Sequence, residues 1–385
     1  MAENLPVKFP KGGEVRMKAV GCPSCGARMK RNGRPKAGTQ RWRCPSCGAS
    51  TTLSYDDAAA RLGEFLAWLT SKETQSSMPG QGRTFRRRTA EFWRVRPMPE
   101  PTGEVHRALF VDGIWLARDL VVLIAHDGRF VVSWYMARSE SSRAWEALIP
   151  APDVVVCDGG TGFEMARRRA WPRTRVQRCL FHAFSQVKRY TTSRPRLQAG
   201  RELYALALEL MHLETLRQAD WWVERYLQWC EFWADFLEER SMQDGRMAYT
   251  HERLRKARSS LSRLVGAGTL FTYLDPGLTA EGPLPRTNNA IEGGVNAQLR
   301  DMLRNHRGMS DVRRVKAVFW WCHLHTESPK SARDALSSMP TDDDIELLYE
   351  AYSAGTKRDD GGPEWGDRAV WEELHRKDPY PYWLD

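Results

Sequence analysis

The feature that most constrains this chain is the spacing C-x2-C-x18-C-x2-C, formed by Cys22, Cys25, Cys44 and Cys47. Each pair reads Cys-Pro-Ser-Cys-Gly. A tetrahedral Zn2+ site takes four soft ligands; each C-x2-C turn offers two thiolates, and the glycine behind it lets the backbone bend toward the ion. The spacing lies in the zinc-ribbon range, so the four thiols are read as ligands of one structural Zn2+ rather than as a redox pair. Between the pairs stand Arg28, Lys30, Arg31, Arg34, Lys36, Arg41 and Arg43, with no acid. With Trp42 among the arginines, a ribbon over 1–50 suits phosphate contact and base stacking. Binding of another protein is the competing use of such a ribbon.

The charge distribution points the same way. The net charge is +10, yet residues 1–100 hold 19 Lys and Arg against 8 Asp and Glu, while 331–385 hold 6 against 14. Basicity concentrated in one segment implies a polyanionic partner, most often nucleic acid. The first 100 residues are therefore expected to bind DNA on their own. No stretch approaches the ~20 apolar residues of a spanning helix, and the opening residues lack the apolar core of a secretory leader. The expected setting is the cytoplasm, without a membrane partner. There the 8 cysteines serve metal binding or packing rather than disulfides.

Along the chain, residues 51–100 predict two or three short helices. Leu62, Phe65, Leu66 and Leu69 make one apolar face. A second helix, capped by Thr84, carries Arg86, Arg87 and Arg88. This segment resembles a helix-turn-helix DNA-binding domain; a solvated basic helix joining two domains fits equally. A Pro-rich linker at 97–101 follows. From 105 the pattern alternates. Strands are predicted over 106–111, 115–125 and 129–136, with a hairpin turn at Asp127-Gly128. A helix over 141–148, a strand over 153–157, a helix over 161–170, a strand near 175–179 and a helix from 181 complete this part. The fourth strand should lie parallel to the first. Residues 196–284 predict a helical insertion with little strand signal, whose tryptophans pack in a core. Helices return over 287–305 and 310–324, and 331–385 reads as a half-ordered acidic tail.

Three carboxylates fit one site. Asp112 and Asp158 each close a strand predicted to be central, and two acids side by side there need a cation between them. Hard oxygen ligands select Mg2+ or Mn2+, and two such ions about 4 Å apart support phosphodiester cleavage and joining. The third is Glu292. At about 100° per residue, Asn289, Glu292, Asn296 and Arg300 share one helix face, with Arg304, His306 and Arg307 extending it as phosphate contacts. A solvated polar stripe is the bland alternative. Cys179-x-x-His182, at the end of the fifth strand, could by spacing be half of a metal site, but no second soft pair is near it in sequence; Cys157, Cys230 and Cys322-His323-x-His325 read as packing residues.

Taken together, the ribbon, Val111-Asp112-Gly113, Cys157-Asp158-Gly159, Cys179-x-x-His182 and Asn289-Ala-Ile-Glu292-Gly-x-x-Asn296 resemble a bacterial insertion-sequence transposase. The similarity is to the Mutator-like DDE superfamily, in the subgroup with an N-terminal zinc ribbon. It spans about residues 20–325. It implies an α/β RNase H-like catalytic core (101–195 and 285–330) interrupted by an all-α insertion (196–284), preceded by the ribbon and the helix-turn-helix-like domain. It also implies cleavage and strand transfer at terminal inverted repeats by Asp112, Asp158 and Glu292 with Mg2+ or Mn2+. Cys179, His182, Asn289, Asn296 and Arg300 would support that site. The implied partners are double-stranded repeat and target DNA and further copies of the chain in a synaptic complex; the implied location is the bacterial nucleoid. A domesticated, catalytically dead repressor and a nuclease without strand transfer are the competing functions.

Overall fold

The computed structural model describes residues 21–22, 24–34, 40–52, 57–100, 103–148, 151–355 and 367–377. Lys36, Pro101 and the tail positions 356–366 and 378–385 lie outside them. The chain divides into two compact units, Met1–Ala58 and Ala59–Asp385.

In the first unit, β1 (Lys30–Arg31), β2 (Arg41–Arg43) and β3 (Ser50–Thr52) form an antiparallel sheet. Lys30 pairs with Arg43 and Arg31 with Trp42. Alternation therefore puts Lys30, Arg41 and Arg43 on one face and Trp42 on the other. Trp42 packs with Cys22, Met29 and Cys44 and is 7% exposed. This corrects the expectation that it stacks on bases. A sheet this small has one large ring to build a core from, and uses it there.

The second unit opens with α1 (Ala58–Leu69) and α2 (Arg83–Thr89). Thr84 does not cap α2; the N-cap is Gly82, at φ +78°. A Cβ at that position would collide with the Gln75 carbonyl, so only glycine closes this turn. Phe65, Phe85, Phe92 and Trp93 from this segment join the same apolar cluster as Ile291, Leu299 and Val318. These helices thus share their core with residues far along the chain.

A mixed five-stranded sheet follows: β4 (Ala108–Ala117), β5 (Leu120–His126), β6 (Val131–Ala137), then α3 (Ser142–Leu148), β7 (Val154–Cys157), α4 (Thr161–Ala170) and β8 (Arg175–Arg178). The order is β6-β5-β4-β7-β8, with β5 and β6 antiparallel and β7 and β8 parallel. The fourth strand does pair parallel with the first. Every residue of β5 is buried, as a strand covered on both faces requires. One correction matters for the site. β4 does not end at Asp112 but continues to Ala117, because the buried β5 supplies ladder partners down to the Ala117–Leu120 pair. The strand expected over 115–125 covers the end of β4, a tight reversal and most of β5.

After α5 (Leu180–Thr191) come α6 (Gln198–Glu209), α7 (Leu216–Phe232), α8 (Ala234–Glu238), the hairpin β9 (Arg240–Gln243) and β10 (Arg246–Tyr249), α9 (Glu252–Gly266) and α10 (Pro276–Thr279). The region is therefore not all helical. Asp244 (φ +49°) and Gly245 (φ +76°) form the turn, and both backbones have the positive φ of a two-residue hairpin. Trp222, Tyr226 and Trp229 are buried as expected, while Trp221 is 56% exposed.

A π-helical turn over Ala290–Val295 leads into α11 (Asn296–Asn305), then α12 (Asp311–Leu324), α13 (Ala332–Ser338), α14 (Asp342–Gly355) and α15 (Arg368–Lys377). Within 331–385 the described residues 331–355 and 367–377 carry helices that pack on the second unit. Ile345, Tyr349, Val370, Trp371 and Leu374 are buried in the main cluster. Lys316, 2% exposed, ion-pairs with Asp342 and donates to the Val95 carbonyl at 3.3 Å. Burial pushes the Lys316 ammonium down to about 8, against the pull of Asp342. Among the described residues no helix is long and apolar enough to cross a membrane.

Removing one partner of a buried pair strands the other charge, which typically costs about 3–5 kcal/mol. Asp342→Ala should lower the urea midpoint accordingly, and Lys316→Met combined with Asp342→Leu should recover most of the loss. Equal losses in the single and double variants would show that the pair is not what holds α14 to α12.

Candidate functional site

In the first unit the four cysteines converge. Cys22 Sγ lies 3.5 Å from Cys47 Sγ, and Cys25 Sγ lies 3.5 Å from both Cys44 Sγ and Cys47 Sγ. Zn–S bonds of about 2.3 Å in a tetrahedron require sulfurs roughly 3.8 Å apart, so the cluster can hold a zinc ion. Each half is a hydrogen-bonded turn: Cys22 N donates to Ala27 O and Gly26 N to Cys22 O; Cys44 N donates to Ala49 O and Gly48 N to Cys44 O. Gly26 and Gly48 take φ +73° and +76°, which only glycine adopts cheaply. Arg28, Lys30, Arg31, Arg34, Arg41 and Arg43 are all exposed.

In the second unit the sheet assembles the carboxylates. β4 and β7 pair up to Phe110–Val156. Asp112 and Asp158 are each two residues beyond that pair, level on neighbouring strands. The ladder on this side of β4 stops there, and the π-helical turn packs against the strand. Asp112 Oδ1 accepts from Gly113 N at 2.9 Å, and Oδ2 from Asn296 Nδ2 at 2.7 Å. Burial, opposed by the Gly113 amide and reinforced by the charges of Glu292, Asp158 and Glu140, pushes the Asp112 carboxyl up to about 7. Asp158 is exposed, its Oδ1 accepting from Gly160 N at 3.1 Å.

Glu292 is held from two sides. Asn288 Nδ2 donates to its Oε1 at 3.2 Å, and His182 Nδ1 lies 3.3 Å from the same oxygen without hydrogen-bond alignment. Cys179 caps α5, and its Sγ accepts from Asn288 N at 3.2 Å. The Cys179 hydrogen bond, with Glu292 nearby, raises the His182 imidazole against burial. Burial works to raise the Cys179 thiol, but hydrogen bonds from His182 and Asn288 leave it below its ordinary value. Cys179, His182 and Glu292 each place a ligand-type atom within 4.8 Å of the others.

Several predicted roles move. Asn289 is exposed, and its buried neighbour Asn288 orients Glu292 instead. The reason is the π-turn: the regular 3.6-residue period misplaces faces across it. Asn296 is buried and in place, while Arg300 is exposed one turn further on α11. His306 holds no phosphate position. It is 5% exposed and bonded to Leu69 O at 2.9 Å. Arg304 pairs with Asp301 at 2.6 Å, and Arg307 is exposed. Arg86 and Arg87 are exposed on α2, and Arg88 faces Glu64 at 3.6 Å. Cys157 and Cys322 are buried packing residues.

Sequence reasoning missed Glu140. Its Oε1 accepts from Trp115 Nε1 at 2.9 Å, and burial, with Asp158, raises its carboxyl against that bond. A Cβ on Gly113 would sit 2.7 Å from Glu140 Oε1, and one on Gly162 would strike the Glu140 carbonyl. Those glycines are the only trace of Glu140 in the sequence, and they are legible only once the strands are placed. Comparison with models of known protein families and with curated proteins finds no match.

Two outcomes follow. Cys22→Ser with Cys44→Ser should abolish stoichiometric zinc in metal analysis and unfold the ribbon, because metal binding there is folding free energy; retained zinc would sink the assignment. For Asp112, a folded pKa near 7 above the unfolded value means stability is fully present below about pH 4 and lost as pH rises to about 7. In EDTA, wild type should lose roughly 1.4 kcal/mol per pH unit across that window relative to Asp112→Asn. At pH 7.5 the variant should have the higher urea midpoint; a lower one contradicts carboxylate crowding.

Proposed function

We propose that this chain is a DNA transposase of the Mutator-like DDE group, cleaving terminal inverted repeats and transferring the strand ends to target DNA. The observation that carries the reading is the nearness of Asp158 and Glu292 to Asp112, whose carboxyl their charges help to raise. Asp112, Asp158 and Glu292 come from the middle of a strand, the end of its parallel neighbour and a helical turn more than a hundred residues later. The strand order β6-β5-β4-β7-β8 supports an RNase H-like core, with residues 196–284 as its insertion. Such crowding of acids on one partly buried spot destabilises the fold unless it serves charge chemistry.

The donor set suits a hard divalent cation, being carboxylate oxygens held by amides. Asp112, Asp158 and Glu292 would hold Mg2+ or Mn2+, which when bound lowers the pKa of an attacking water or hydroxyl and stabilises the leaving oxygen. The chain's own groups do the positioning. Asn296 fixes which Asp112 oxygen faces the site, Asn288 fixes Glu292 with His182 beside it, and the Gly160 amide orients Asp158. Glu140 adds a fourth negative charge. The ribbon brings Lys30, Arg41 and Arg43 together on one acid-free face, a footprint for the phosphates of double-stranded DNA.

Asp112→Asn, Asp158→Asn and Glu292→Gln should each abolish Mg2+-dependent cleavage and joining at the repeat ends while repeat binding survives. Asp127→Asn is the control and should stay active. Asp127 Oδ1 accepts from Arg129 N and Phe130 N, both at 2.7 Å, and an asparagine carbonyl serves that turn equally. A dead Asp127→Asn beside an active Glu292→Gln would mean the site is elsewhere. Tight repeat binding by a wild type that never cuts would make the chain a repressor, and cutting without joining a nuclease.

A further inference from the structure

Beside Asp158 lies a cleft of about 1000 Å3, bounded by α4, β8, α5 and α9. This is the upper end of the about 300–1,000 Å3 that ligand pockets span. Its arginines differ in one respect. Arg167 and Arg168 are committed to Glu164, each at 2.8 Å, and Arg175 faces Asp275 at 3.4 Å. Arg178 and Arg263 have no acid partner among the described residues.

Arg178 is the unusual one. Its Nε and Nη1 are buried and make no hydrogen bond among the described residues. A guanidinium N–H without an acceptor is costly to hold in place. The fold nevertheless builds a seat for it. The guanidinium lies against Gly159, where any Cβ would overlap it, and Gly159 itself takes φ +85°. The Arg178 backbone is fixed as well, its N–H donating to Thr269 O at 2.8 Å. A planar donor is thus held rigidly against the turn that carries Asp158, with its hydrogen bonds unspent. Arg263 is exposed on α9, across the same cleft, so two uncompensated positive charges face one space.

We propose that this cleft binds the backbone of a single DNA strand, with Arg178 as the fork that grips one phosphodiester next to the Asp158 carboxylate and Arg263 as a second phosphate contact. Planar bidentate recognition of phosphate is what an arginine fork does and a lysine does not. The assignment rests on the transposase reading for the identity of the polymer, and it places a strand segment flanking the reacting bond between the sheet and α9.

The test is equilibrium binding of the full-length chain to a fluorescent, short oligothymidylate strand in EDTA, repeated across salt concentrations. Each phosphate contact removed from a single strand should reduce the slope of log K against log salt by about 0.7. Arg178→Gln and Arg263→Gln should each show that reduction, with affinity about tenfold weaker at fixed salt for Arg178→Gln. Arg178→Lys should keep the wild-type slope but bind more weakly. Unchanged slopes in Arg178→Gln and Arg263→Gln overturn the proposal; should Arg178→Gln not fold, the exposed Arg263→Gln decides. If inorganic phosphate protects wild type but not Arg178→Gln against heat while the strand slopes coincide, the site takes a small anion and the strand assignment falls. Because no chemistry occurs in EDTA, the two readings separate. Arg178-dependent strand binding by a chain that never cleaves repeats removes the transposase, and normal cleavage with unchanged slopes removes the strand cleft.

Discussion

Three residue pairs between β4 and β7, Ala108–Val154 to Phe110–Val156, determine where everything else at the carboxylate site can go. The ladder is long enough to bring Asp112 and Asp158 level and short enough to leave that side of β4 unpaired beyond Phe110. A strand edge in a protein interior must have its polar groups satisfied. The segment that arrives is the turn before α11: Asn288 Nδ2 reaches the Val111 carbonyl at 3.4 Å as well as Glu292. The same contact that closes the edge therefore delivers the third acid.

The π-turn makes that delivery geometrically possible. Asn288, Glu292 and Asn296 are four residues apart; Asn288 and Asn296 bond to β4 and Asn288 also to Glu292, across a stretch that carries Gly293 and Gly294. The arrangement sacrifices local stability. The Oδ1 atoms of Asn288 and Asn296 are buried without partners among the described residues, Asp112 is pushed toward neutrality, and Arg178 keeps two donors idle. Buried polar groups left unsatisfied are costly anywhere. Here they concentrate around one spot, where a cation and a polyanion would supply the missing partners.

What was legible in the residues was periodicity, and what was not was register. β7 and α4 fall where their patterns placed them because each is bounded by a turn signal and spans one clean period. Asp112 was found by its Asp-Gly pair, yet its position in mid-strand depends on how far β5 extends, which no local pattern near 112 records. Helical arithmetic points to Asn289 because it assumes a regular α-helix, where the chain makes a π-turn over Ala290–Val295. Gly82 displaced Thr84 as a cap because of the Gln75 carbonyl, a contact with no sequence marker. The Asp244-Gly245 hairpin did have a marker, lost among helical residues on both sides. Glu140 had none: it stands in a Ser-Glu-Ser loop and matters only because the fold presses that loop against Gly113 and Gly162.

The distribution of charge reads differently once the C-terminal helices are in place. An acidic segment in a chain that binds DNA would repel the phosphates if it were free in solution. Three acids of its described residues pair inside the second unit: Asp342 with Lys316, Asp343 with Arg94 and Glu373 with Arg138. Arg96, 1% exposed, lies between the rings of Phe319 and Trp371. Of the three basic partners, Lys316 is buried, Arg94 half-buried and Arg138 exposed. The exposed arginines of the ribbon lie in a segment that contains no acid of its own. Segregating the counter-charges in this way lets one chain be nearly neutral over its second unit and strongly basic in its first. For the polyanionic partner proposed above, attraction would then be set by the ribbon rather than by the net charge of the whole.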